Sequence, residues 1–231
     1  MADAAPKPDL AIRTVSAAVM LVVAGTALYI GGNVFTFFVA LVAFTVVLEW
    51  RNIVVKFPIS EFAKGVWMAC GGLYAAFGCA SVLVLQNANL FVPVLAAVIG
   101  TDIGAYFTGR TIGGPRIAPA ISPSKTWAGL FGGMVGAAIA LALANMLLEK
   151  AGFSFHISRA GIVIFGVAAA VIAQAGDFFE SWMKRRAGVK DSGNLLPGHG
   201  GMFDRVDGLL PVCIVAFLLL HFLYPDRGLV P

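Results

Sequence analysis

The sequence predicts an all-α, polytopic transmembrane protein with about seven spans and catalytic loops on one face, and three observations lead there. Of the 231 residues, 59% are hydrophobic and only 12% charged, far from the balance of a water-soluble domain. Seven windows come close to the about 20 apolar residues needed to cross about 30 Å of hydrocarbon. The gaps between those windows alternate in basic charge, as membrane topology requires.

The windows run from Thr14 to Ile30, Val34 to Trp50, Gly65 to Gln86, Leu90 to Phe107, Trp127 to Leu148, Gly161 to Phe179 and Leu209 to Tyr224. Each reads as a helix, because only a helix satisfies its own backbone groups inside lipid. Ahead of the first span, residues 1–9 read as a disordered tail. The first span reads as retained and not as a cleaved leader, since Asp3 and Asp9 dilute the charge before it and no polar domain follows. Gly31, Gly32 and Asn33 punctuate a tight hairpin between the first two spans. From Asn52 to Lys64, apolar Ile53, Val54, Phe57 and Phe62 alternate with charge, which suggests a short amphipathic piece along the interface, weakened by Pro58. Paired glycines such as Gly71–Gly72 and Gly132–Gly133, with Gly136, permit close helix packing, within one subunit or across a homodimer.

The tail, the second, the fourth and the sixth gaps carry thirteen of the sixteen Lys and Arg residues. The other gaps and the C-terminus hold only Lys150, Arg159 and Arg227. The positive-inside rule then puts the N-terminus and the basic loops in the cytoplasm and the C-terminus outside. A net charge of +4 concentrated on one face suits anionic headgroups and phosphates, with no nucleic acid as partner. Cys70, Cys79 and Cys213 lie in apolar windows without paired spacing, and His156, His199 and His221 show no zinc spacing. Gly109, Gly113 and Gly114 make neither a Walker nor a dinucleotide fingerprint, so a soluble nucleotide fold is not expected. No internal repeat or linker is evident, and residues 1–231 read as one membrane domain.

Carboxylates at or within spans are costly and need a reason. Asp102 and Asp177 sit near the basic ends of the fourth and sixth spans, and Asp204 and Asp207, at i and i+3 before the seventh, would share one face of a helical turn. Sparse acids beside many cations describe a metal–phosphate site, since Mg²⁺ takes one or two carboxylates and fills its octahedron with phosphate oxygens and water. Ser122-Pro-Ser-Lys-Thr-Trp127 supplies Lys125 to neutralise a phosphate, with the hydroxyls of Ser122, Ser124 and Thr126 before a helix N-terminus that favours anions. The polar stretch from Ser181 to Asp207 adds Lys184, Arg185, Lys190, Asp191, His199, Arg205 and the Pro197-Gly-His-Gly-Gly201 run. A solvated loop with positive-inside charge accounts for its cations but not for its glycines and aspartates. His199 is either a tolerated turn residue or a group that contacts phosphate or moves a proton.

The run Ser181-Trp-Met-Lys-Arg-Arg-Ala-Gly-Val-Lys-Asp-Ser-Gly-Asn-Leu-Leu-Pro-Gly-His-Gly-Gly-Met-Phe-Asp-Arg-Val-Asp207 resembles the signature of the phosphatidate cytidylyltransferases, or CDP-diacylglycerol synthases. The resemblance extends to Asp102–Arg110, Ser122–Trp127 and Gln174–Asp177. It implies conversion of CTP and phosphatidate to CDP-diacylglycerol and pyrophosphate in phospholipid biosynthesis, in the inner membrane of a bacterium. It implies Mg²⁺, with room for a second metal ion, and metal binding by Asp177, Asp204 and Asp207. Phosphate contacts carry over to Lys125, Lys184, Arg185, Lys190 and Arg205, and Asp102 would assist the metal or orient a basic partner. In this reading Lys125, Asp177, Asp204 and Asp207 form the catalytic set. Two departures stand out. Position 128 is Ala where the family's Ser-Pro-x-Lys-Thr-Trp motif commonly continues with Glu, and the chain is short for the family, implying an N-terminal span absent or fused.

The reading competes with a CTP-dependent polyprenol kinase, which would move the γ-phosphoryl group to an alcohol, and with an ion-coupled transporter using Asp102 and Asp177 at broken helices. The acids gather near one face and not at the midplane, which argues against transport.

Overall fold

The computed structural model describes residues 10–153 and 158–223. The expected tail at 1–9, His156 and the end of the last window at Tyr224 lie outside them. In chain order the elements are α1 (Leu10–Ile30), α2 (Gly32–Val54), α3 (Glu61–Asn87), α4 (Phe91–Thr111), β1 (Arg116–Ala118), β2 (Ser122–Thr126), α5 (Trp127–Lys150), α6 (Arg159–Arg186), α7 (Phe203–Val206) and α8 (Leu209–Leu223). Helices α1 to α6 are each long and apolar enough to cross a membrane, and α8 is a shorter apolar helix of 15 residues. The chain is therefore an all-α integral membrane protein with six full-length spans among the described residues. At about 1.5 Å per residue α8 reaches only about 22 Å.

Three expectations are refined, and one element is new. The interfacial piece at 52–64 is not a separate element: α2 continues to Val54, a turn follows, and α3 begins at Glu61. Ile53, Val54 and Phe57 are buried, and the Arg186 guanidinium lies over the Phe57 ring, so these apolar side chains serve the protein core. The stretch 116–126 pairs as a small antiparallel hairpin, because prolines at 115, 119 and 123 exclude a helix. Helix α6 runs well past Phe179 to Arg186, so the first residues of the polar stretch are helical and not loop. Helix α7 ends at Val206, which leaves Asp207 in the turn beyond it and not on a shared helical face with Asp204.

The chain forms two compact units. The first joins residues 1–75 to 186–205. The α1–α2 hairpin turns at Gly31 and Gly32, whose φ of 67° and 51° a side chain would strain. At the far end of α2, Trp50 packs against Trp67, Tyr74 and Phe203, and its indole N–H donates to the Trp67 carbonyl at 2.8 Å.

The second unit joins residues 76–185 to 206–231. Its main helix pair is α4 with α5, which meet backbone to backbone. A Cβ on Gly100 would lie 2.5 Å from the Gly136 carbonyl oxygen, and one on Gly104 would overlap the Gly132 carbonyl. Small residues allow this approach, and within lipid close packing is what holds helices together. Gly176 of α6 lies against the Asp207 carbonyl in the same way, which brings the turn before α8 onto α6.

Candidate active site

In the second unit the acids of α6 and the turn before α8 converge. Asp177, Glu180 and Asp207 each offer a carboxylate oxygen, and these oxygens lie within 4.8 Å of one another. Helical spacing sets Asp177, Glu180, Ser181 and Lys184 on one face of α6, while the contact at Gly176 sets Asp207 beside them. The hairpin contributes Lys125, whose Nζ stands 2.5 Å from Asp177 Oδ2, and Lys184 Nζ stands 2.6 Å from Glu180 Oε2. The Ser181 hydroxyl donates to Asp177 Oδ1 at 3.3 Å.

Glu180 is only 1% exposed, so its charge depends on such partners. Burial, and then the Asp177 carboxylate, push Asp207 up to about 7. The Gly208 amide, which donates to Asp207 Oδ1 at 2.8 Å, and Lys184 pull against that shift, while Asp102 adds to it.

Thr126 has a definite local role: its Oγ1 accepts from the Gly129 amide at 3.1 Å and caps α5. Arg185 reaches back to the hairpin, its Nε donating to the Ile121 carbonyl at 3.4 Å. Ser122 is half-buried and Ser124 exposed on β2, and Asp102 is exposed on α4.

Asp204 belongs to the first unit, in the turn-rich run from Lys190 to Arg205. Its Oδ2 accepts from the Ser192 amide (3.0 Å), the Ser192 hydroxyl (2.9 Å) and the Gly201 amide (2.8 Å). The Pro197–Gly201 run is a tight turn, with Leu196 and Gly200 bridged and positive φ at Gly198 and Gly200. His199 sits in it with its Nδ1 2.7 Å from the Ser16 hydroxyl of α1, and its carbonyl accepts from Arg205 Nη2 at 2.8 Å. Lys190 and Asp191 are exposed.

The structure thus gathers Lys125, Asp177, Lys184 and Asp207, and it adds Glu180, which the sequence reading passed over. A second acid, Glu49, is buried at 6% exposure on α2 and accepts three hydrogen bonds from the signature run.

Residues 62–223 match the model of the cytidylyltransferase family. The chain belongs to the cytidylyltransferase family. Among relatives, the phosphatidate cytidylyltransferase of Brucella suis is 37% identical over 197 residues, covering 82% of this chain and 66% of that protein. The one from Mycobacterium bovis is 35% identical over 159 residues, covering 68% and 49%. The one from Pseudomonas aeruginosa is 39% identical over 134 residues, covering 57% and 47%. The chain therefore spans just under two thirds of the Brucella relative and about half of the other two. Every residue of the three-acid cluster and both of its lysines fall inside the family match.

The donor set fits a hard divalent cation. Three carboxylate oxygens within 4.8 Å of one another are the hard oxygen donors that Mg²⁺ prefers.

Proposed function

We propose that this protein is a phosphatidate cytidylyltransferase: it joins the phosphate of phosphatidate to the α-phosphorus of CTP and releases pyrophosphate, at the cytoplasmic face of a bacterial inner membrane. The observation that carries the reading is the pairing of three crowded carboxylates with Lys125 and Lys184 in a membrane-spanning member of the cytidylyltransferase family.

Asp177, Glu180 and Asp207 would hold Mg²⁺. The metal, when bound, would neutralise triphosphate charge and stabilise the departing pyrophosphate. Lys125 and Lys184, each set against one of these acids, are placed to turn toward phosphate oxygens once the acids have another counter-ion. The attacking group is already an anion, so no strong general base is required; the side chains position two anions and neutralise them. The apolar helices leave the lipid tails in the bilayer while the headgroup reaches the polar ends of α5 and α6. The basic loops, by the positive-inside rule, set this end in the cytoplasm. Asp204 in this reading shapes the Ser192–Gly201 run.

The test uses detergent-purified protein with phosphatidate, Mg²⁺ and CTP labelled at either the α- or the γ-phosphorus. Label from the α position should enter the lipid phase, stop with chelator and fall to background in Asp177→Asn. Label entering lipid from the γ position alone would instead establish phosphoryl transfer and overturn the reading.

A further inference from the structure

We propose that Glu49, in the second span and outside the family-matched segment, is a positioning residue that holds the signature run in its working shape. The inference rests on the cytidylyltransferase reading for its catalytic consequence, though not for its geometry.

A carboxylate buried at 6% exposure in an apolar helix is costly unless its oxygens are satisfied. All the donors that the structure gives Glu49 come from the signature run, 143 or more residues away in sequence. The Met202 amide donates to Oε1 at 2.9 Å, and the Phe203 amide (2.7 Å) and Ser192 hydroxyl (2.9 Å) donate to Oε2. A Cβ on Gly193 would lie 2.7 Å from Glu49 Oε1, and one on Gly201 would overlap Glu49 Oε2. A side chain at either position would press on this carboxylate, and at Gly201 on the Ser192 hydroxyl as well.

Ser192 carries the effect onward. Its hydroxyl stands 2.9 Å from Glu49 Oε2 and also 2.9 Å from Asp204 Oδ2. One hydroxyl proton serves one acceptor at a time, so the two acids share it and a change at Glu49 is felt at Asp204. Three donors pin Asp204 Oδ2, and two of them sit on Ser192. The span and the run thus form one network, the kind in which each member depends on the others being satisfied.

Glu49→Gln tests this, because the amide is isosteric but turns an NH₂ toward a backbone N–H. Hydrogen exchange on the purified protein should show Met202 and Phe203 protected in the parent and exposed in the variant, with the α4–α5 amides unchanged. In cytidylyl transfer, kcat/KM per folded molecule should fall about 100-fold, as for a displaced site, with Glu49→Asp recovering part of it. Unchanged protection at Met202 and Phe203, or altered protection with parent-like kcat/KM, overturns the proposal. A parent that exchanges as described yet transfers no cytidylyl group overturns the functional reading instead, so the two failures are distinguishable.

Discussion

Burial and the Asp177 carboxylate hold Asp207 near 7, against an ordinary value of 3.8. The native state therefore binds this proton more tightly than the unfolded chain. The resulting stability is complete below about pH 3.8 and is lost as pH rises toward 7, where the native carboxyl must ionise beside its neighbours. Metal-free protein should accordingly show a Tm that declines between about pH 4 and 7 and levels off above, and Asp207→Asn should flatten that decline while abolishing transfer. Tryptophan fluorescence during a thermal ramp checks the first, and α-labelled CTP the second. Because metal competes with the proton, transfer by the parent should rise through pH 7. Lys125→Ala should leave the melting curve within a few degrees and cut kcat by about 10² to 10³, in line with removal of one charge-stabilising donor; a parent-like kcat would sink its assignment. Lys125, Asp177 and Asp207 were legible in sequence because each sits in a compact polar motif beside a span. Glu180 and Glu49 were not: each lies at the end of an apolar window, where a charge reads as interfacial, and only the fold shows it buried.

At the level of elements, hydropathy located the helices but not their partners. The end of the α6 window at Phe179 concealed that the helix continues to Arg186, and that continuation puts Glu180 and Lys184 on the Asp177 face. The hairpin at 116–126 was not read from the sequence, since pairing depends on how the chain closes before α5. Glycines in the fifth span signalled close packing, and the structure supplies the partner, α4. Gly104→Val should separate α4 from α5, because its side chain meets the Gly132 carbonyl. Overpacking of this kind costs about 1–3 kcal/mol or more, so the variant should melt several degrees lower and lose activity as the Lys125 hairpin shifts. Gly25→Ala, where a Cβ meets nothing within 4 Å, is the matched control and should do neither.

For the molecule as a whole, the membrane class was legible because apolar length is written directly in the residues. The division into two compact units was not, since residues 186–205 return to the N-terminal helices across a long sequence gap. The charge pattern predicts sidedness. With Cys70, Cys79 and Cys213 replaced, Ala120→Cys should react with an impermeant maleimide only after spheroplasts are opened, and Ala151→Cys before; labelling of both from one side would refute the orientation. The three-acid cluster also gives this protein a practical property. Carboxylates crowded this closely repel one another even beside their lysines, so a species that binds them in the folded state raises the melting temperature. A bound species present at 100 times its Kd adds about 2.7 kcal/mol. Heat is therefore a readout of occupancy: a plate of candidate cations, nucleotides and headgroup analogues can be ranked by melting shift alone, on unlabelled protein and without any turnover.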